Sequence, residues 1–162
     1  MNLIIKDSSQ MPWHTDIKLI FDALDGRQRE FNWLITAHDC FCCSSAERIF
    51  NDEIVWLTGD ELTDIVTNNN IQFVWGILSA FDKSIDIDID NLSVEPTFEG
   101  EWHYGGENIH PQHPLAVAEI VCVDSSYTIF ISKDEDLSDR FLRCYSDAQD
   151  LHQWHMNLKG CK

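Results

Sequence analysis

One run of eleven residues, IQFVWGILSAF at residues 71–81, constrains the fold of this chain more than any other feature. It is the most apolar stretch in the sequence. A run of this length fits either a strand or a buried helix by pattern alone. Its β-branched and aromatic residues favour a strand. We therefore expect residues 71–81 to form a central strand of a β-sheet.

Other short apolar runs, separated by turn residues, predict the remaining strands of this sheet. These strands cover residues 3–5, 31–37, 54–57, 115–123 and 127–132. The last two flank Asp124-Ser125-Ser126, which is typical of an antiparallel hairpin.

Helices are predicted before and after this run of strands. Thr15 is expected to cap a helix that stops at Asp25-Gly26 and carries Ile17, Ile20, Phe21 and Leu24 on one face. Capping-box patterns begin at Thr58, Ser132 and Ser146, and they predict helices that end near residues 67, 144 and 158. This arrangement indicates an α+β fold, with a mostly antiparallel sheet and helices packed on one face. A chain of 162 residues predicts a single domain over residues 1–162.

The negative charge of the chain is concentrated in one region. The formal net charge is -17, and residues 51–110 hold 13 Asp and Glu residues against the single base Lys83, which is a net charge of -12. Such a field repels nucleic acid and anionic membrane surfaces, and it attracts basic proteins. The charge therefore predicts a basic protein as the partner.

Residues 82–113 form a long polar excursion that contains several Pro and Gly residues. Long irregular segments of compact domains tend to be functional or mobile. Within this acidic segment, a short strand is predicted over residues 84–90, because Ile and Asp alternate from Ile85 to Asp90.

Three interpretations of Asp86, Asp88 and Asp90 stay open at this point. The aspartates could protect a strand edge against pairing with another chain, or they could contact Lys and Arg side chains of a partner. Their spacing also matches the first ligands of an EF-hand calcium loop, although Asn91 and Thr97 stand where that loop needs Gly and Glu.

Aromatic side chains accompany the carboxylates of the same segment. Trp102 and Tyr104 follow Glu99 and Glu101, and such a mixture fits recognition of a basic protein surface. The alternative is that both rings pin the loop to the core. The predicted partner-binding residues are Asp86, Asp88, Asp90, Glu99, Glu101, Trp102, Tyr104 and Glu107.

The sequence HDCFCC places His38, Cys40 and Cys42 in alternation, followed directly by Cys43. Thiolates and imidazoles are the usual zinc ligands. A metal-binding protein that uses His38, Cys40 and Cys42 is therefore one alternative function. The other interpretation is that these cysteines are small apolar residues of the core or a loop.

The sequence contains no phosphate-binding glycine loop, nucleophile elbow or metalloprotease helix. We therefore expect a protein that is not an enzyme and needs no cofactor. No stretch of the sequence is apolar enough to cross a bilayer, and the amino-terminal residues do not form a secretory signal. The prediction is a cytoplasmic protein with reduced cysteines.

Three stretches together carry a resemblance to known proteins: FNWLIT at residues 31–36, residues 54–83, and AEIVCVDSSYTIFISKDEDL at residues 118–137. Their order and spacing resemble a family of small bacterial proteins known only as a domain of unknown function. The likeness covers about two thirds of the chain and includes no catalytic motif.

In its size, its acidity and its lack of catalytic motifs, the chain also resembles the immunity proteins of bacterial toxin systems. That class-level likeness implies an inhibitor of a basic toxin domain. A regulatory or structural homo-oligomer is the remaining alternative.

Overall fold

The computed structural model describes residues 1–42, 44–100, 102–106 and 108–160, without the side chains of residues 44, 45, 159 and 160. Seven strands form one antiparallel sheet in the order β3-β2-β4-β5-β6-β1-β7. They are β1 (Leu3–Lys6), β2 (Phe31–Phe41), β3 (Val55–Thr58), β4 (Gln72–Asp82), β5 (Ala118–Val123), β6 (Tyr127–Ser132) and β7 (Gln149–Asp150). The predicted apolar strand is β4, which pairs with β2 and β5 inside the sheet.

The helices are α1 (Ile17–Leu24), α2 (Ser44–Glu47), α3 (Gly59–Asn68), α4 (Glu135–Cys144) and α5 (Leu151–Gly160). With the antiparallel sheet, they confirm the α+β class. None of the described helices is long and apolar enough to cross a bilayer.

The first face of the sheet is covered by α1, α3 and α4. Trp33, Leu78 and Phe130 of the sheet belong to one buried cluster with residues of these helices, including Phe21 and Phe141. The rings of Phe130 and Phe141 stack with centroids 4.9 Å apart. These three helices share one face, as the sequence predicts, whereas the fourth predicted helix, α5, packs on the other face.

The second face is covered by irregular chain. We call residues 83–117, which join β4 to β5, the cover segment. Its Tyr104 and the α5 residue Leu151 are buried in one cluster with Ile77, Val121 and Ile129 of the sheet. Both faces are therefore buried, which explains why β4 is apolar on both sides.

The strand predicted over residues 84–90 is wrong. The described chain leaves β4 at a turn, where the Asp82 carboxylate accepts hydrogen bonds from the backbone N (2.8 Å) and the hydroxyl (2.6 Å) of Ser84. Ile85 and Ile87 pack against the small cluster around Phe81, and Asp86 and Asp88 point to solvent. The alternation therefore reflects the partial burial of Ile85 and Ile87, which pair with none of the described strands. Ile89 is exposed and begins a single 3₁₀ turn, Ile89–Asn91.

Local hydrogen bonds place the helix starts differently from three of the predicted caps. Asp16, and not Thr15, caps α1, and Asp134, and not Ser132, caps α4. In both cases a carboxylate nearer to the helix accepts a backbone N–H of the first turn. The third difference concerns α5, which begins at Leu151 and not after Ser146, because residues 149–150 pair with β1.

The capping box at Thr58 is confirmed. The Thr58 hydroxyl accepts from the backbone N of Glu61 at 3.2 Å, and the Glu61 carboxylate accepts from the backbone N of Thr58 at 2.9 Å. The hydrogen bonds that the Thr58 backbone N and hydroxyl donate to this carboxylate hold the pKa of Glu61 below its ordinary value.

Candidate functional site

Carboxylates on the helical side of the molecule are largely neutralised by arginines. Arg29 contacts Asp60 at 3.0 Å and Asp64 at 2.9 Å, and Arg140 contacts Asp25 at 3.1 Å and Asp136 at 2.7 Å. The hydrogen bond from Arg29 holds the pKa of Asp60 below its ordinary value. This side of the protein therefore presents a mixed surface of both signs.

The cover segment has the opposite character. Its described carboxylates are all exposed, and none of them forms an ion pair with a described Lys, Arg or His side chain. They are Asp86, Asp88, Asp90, Glu95 and Glu99. The structure thus places the predicted acidic residues on the surface and leaves their charge uncompensated. The predicted residues Glu101 and Glu107 lie outside the described residues.

Part of this acidic surface is a cleft of about 520 Å³ between the cover segment and the loop that precedes β3. Its lining includes the carboxylates Glu53, Glu95 and Glu99 and the side chains of His38 and Phe98. Glu53 and Glu95 were missed by sequence reasoning. Glu53 lies more than 40 residues before Glu95 along the chain, so only the fold brings the two together.

An aromatic row borders the same region. Trp102 stacks on Phe98 with centroids 6.4 Å apart and an interplanar angle of 18°, and Phe98 meets Trp75 of β4 edge-on at 5.2 Å. The Trp102 side chain remains 41 % exposed. It therefore has two properties of an interface anchor, a ring supported by a neighbouring aromatic side chain and a substantial exposed area.

Tyr104 is not available to a partner, because only 1 % of its surface is exposed. Its hydroxyl donates to Glu119 Oε1 at 3.0 Å and accepts from Gln112 Nε2 at 2.6 Å. His155 of α5 lies 2.6 Å from its backbone oxygen. Tyr104 therefore matches the alternative from the sequence analysis, in which its ring holds the loop against the core.

The carboxyl group that accepts the hydrogen bond from Tyr104 belongs to Glu119 of β5, which is fully buried on the second face of the sheet. Glu119 Oε2 accepts from Ser79 Oγ at 2.9 Å and from the backbone N of Gln112 at 3.1 Å. Burial raises the pKa of Glu119 to about 7, although these hydrogen bonds oppose the shift. The sequence carried one signal for this group, an acid inside the apolar strand AEIVCV.

Residues His38, Cys40 and Cys42 do not form a metal centre in this structure. No group of three or more His, Cys, Asp or Glu residues in the described part of the chain has a metal-binding arrangement, and this includes the calcium-like aspartates. His38 Nε2 lies 3.2 Å from the backbone oxygen of Phe50, and Cys40 and Cys42 pack against the core. Burial raises the pKa of Cys40 to about 12, which disfavours the thiolate that zinc binds.

No family model, curated protein or solved structure matches this chain. Its likeness to immunity proteins stays a prediction. The features that could carry a function are the uncompensated carboxylates of the cover segment, the acidic cleft beside them and the exposed ring of Trp102.

Proposed function

We propose that this chain is a cytoplasmic binding protein that recognises a basic surface of another protein through its cover segment. Its most concrete form is an immunity protein that neutralises a toxin domain. The observation that carries the proposal is an uneven compensation of charge. Lysine and arginine side chains pair with many carboxylates of the helical side, whereas none of the described carboxylates of the cover segment forms an ion pair.

Uncompensated carboxylates attract a basic partner over a long distance. Their combined field raises the rate of association, and salt screens this effect, with a Debye length of about 10 Å at 0.1 M ionic strength. A nuclease toxin would fit this surface because its substrate-binding face must be basic to hold phosphates. Carboxylates placed against that face would block it.

The cleft and Trp102 supply the short-range contacts that such a complex also needs. The three carboxylates of the cleft can accept hydrogen bonds from a guanidinium or ammonium group, and Phe98 offers an aromatic surface beside them. Trp102 can bury its exposed face against the partner. The proposed interface therefore combines steering charges at its rim with aromatic anchors.

Replacing Asp86, Asp88 and Asp90 with Asn should slow association with the partner roughly tenfold at low ionic strength and flatten its salt dependence. The side chains are exposed, so the fold should be unaffected. The partner is first captured from the lysate of the native host with tagged protein, at low and at high salt. Its association rate is then measured with purified proteins.

A matched control replaces Asp7, Asp124 and Asp139 with Asn. These aspartates are exposed and lie outside the cover segment, and two of them have positive φ, which Asn tolerates. The control makes the same change in net charge, and we expect its association rate to change less than twofold. Equal effects of the two triple variants would contradict the assignment of the surface. Capture of the chain alone would instead favour the homo-oligomer.

Trp102→Ala should weaken the complex by about 2 kcal/mol, mainly through faster dissociation. The free energy of unfolding should fall by about 1 to 3 kcal/mol, less than for a fully buried ring, because 41 % of the side chain is already exposed. Dissociation rates and urea unfolding of the same variant separate the two effects. An unchanged dissociation rate would remove Trp102 from the interface.

A further inference from the structure

The hydrogen bonds of Glu119 join the cover segment to the sheet. Tyr104 and Gln112 donate to it from the cover segment, and Ser79 donates from β4. Gln112 extends these contacts to Thr97. Its side-chain oxygen accepts from the backbone N of Thr97, and its side-chain nitrogen donates to the backbone O of Thr97, both at 3.0 Å. One buried carboxyl therefore holds two distant parts of the cover segment against β5.

Either protonation state of Glu119 can be accommodated by these partners. The three groups donate to a carboxylate, and the hydroxyl oxygens of Ser79 and Tyr104 can accept a hydrogen bond when Glu119 carries a proton. The two states therefore differ chiefly in electrostatic cost, because the ionised form places a full negative charge where water cannot reach it.

Few charged groups near Glu119 offset that cost. From the cover segment, His110 is the titratable group whose positive charge would favour the carboxylate, and the phenol of Tyr104 stays protonated because burial raises its pKa. From α5, His155 reaches the backbone oxygen of Tyr104. On β6, the register partner of Glu119 is the apolar Ile131. Among the described residues, no Lys or Arg forms an ion pair with Glu119.

We propose that Glu119 is a proton-controlled latch, which holds the cover segment on the sheet while it is protonated and loosens the segment when it ionises. In an opened segment the carboxyl meets water and has its ordinary pKa of 4.5, whereas in the closed segment burial raises the pKa to about 7. Between these two values the closed form binds more protons, so opening becomes more favourable as the pH rises.

This inference stands on the contacts of Glu119 and does not depend on the proposed binding function. If the cover segment does bind a basic protein, the latch also sets how firmly the binding surface is held. Experiments on the free protein test the latch, and experiments with a partner test the binding.

Hydrogen exchange of the backbone amides of Thr97 and Gln112 tests the latch, because both amides are bonded within it. From about pH 5.5, which lies above the isoelectric point, to about pH 8, their protection factors should fall roughly 30-fold after correction for intrinsic exchange. At each pH these amides should exchange faster than those of the β4–β5 ladder, which need a larger unfolding.

The matched variant is Glu119→Gln, which keeps the size of the side chain and cannot ionise. In this variant we expect the protection factors of Thr97 and Gln112 to lose the part of their fall with rising pH that depends on Glu119. A part that depends on His110 or His155 would remain. Two results would overturn the latch: the same fall in wild type and variant, or protection of Thr97 and Gln112 equal to that of the sheet amides.

If Glu119→Gln does not fold, Tyr104→Phe provides the second variant. It removes one of the hydrogen bonds that favour the ionised form, so the pH at which protection falls should move upward. An unchanged midpoint in this variant would contradict the latch as directly as an absent fall in the wild type.

Discussion

Gly59→Ala is expected to lower the free energy of unfolding by about 3 kcal/mol, near the upper end of the cost of over-packing. A Cβ atom at this position would lie 2.3 Å from the backbone oxygen of Gln28, 2.6 Å from that of Phe31 and 2.8 Å from Cα of Arg29. All three are backbone atoms, so no side-chain rotation can relieve the overlap. The turn Arg27–Glu30 or the start of α3 would have to move.

Urea unfolding of the variant measures this effect, and Gly106→Ala is its control. The nearest atom to a Cβ at Gly106 lies 3.9 Å away, so that substitution should change stability by less than about 0.5 kcal/mol. Helix propensity alone predicts the opposite sign at Gly59, since Ala is favoured over Gly in a helix by about 1 kcal/mol. A neutral or stabilising Gly59→Ala would therefore show that the close approach of α3 to the turn Arg27–Glu30 is wrong.

Tyr104→Ala should cost about 3 to 5 kcal/mol, because it removes a buried aromatic ring and leaves a cavity on the second face of the sheet. It also takes one hydrogen-bond partner from Glu119 and one from the side chain of Gln112. Loss of the ring should release the cover segment, so exchange of the Thr97 amide should accelerate together with the loss of stability.

Tyr104→Phe separates the contribution of the ring to stability from the contribution of its hydroxyl. It keeps the packing and removes only the two hydrogen bonds, so we expect a cost of about 1 to 3 kcal/mol. Urea unfolding of both variants, with the exchange of Thr97, gives the comparison. A cost below about 1 kcal/mol for Tyr104→Ala would mean that the ring does not anchor the cover segment.

Several predictions that depended on local sequence succeeded for physical reasons, although the caps predicted at Thr15, Ser132 and Ser146 did not. The run at residues 71–81 forms β4 because so apolar a segment must be buried on both faces. The hairpin around residues 124–126 forms because its two apolar runs are joined by a short polar turn. The capping box at Thr58 also succeeded, since its bonds lie within four residues of one another.

Predictions that depended on contacts between residues far apart in the sequence were less successful. The alternating Ile and Asp residues from Ile85 to Asp90 do not form a strand, because none of the strands in the described part of the chain pairs with them. Tyr104 resembled an interface anchor in the sequence, but its position is decided by Glu119 and Gln112. Glu53 joined the candidate site only through the fold.

The sequence by itself determined the α+β class, most strands and the concentration of negative charge in residues 51–110, because apolar periodicity and net charge are properties of the chain alone. Only the tertiary structure decided which carboxylates stay uncompensated and which one is buried. Ion pairing and burial depend on residues far apart in the chain, as Arg29 with Asp60 and Tyr104 with Glu119 demonstrate. The same chemical group is therefore exposed at Asp86, where we propose a steering charge, and buried at Glu119, where we propose a latch.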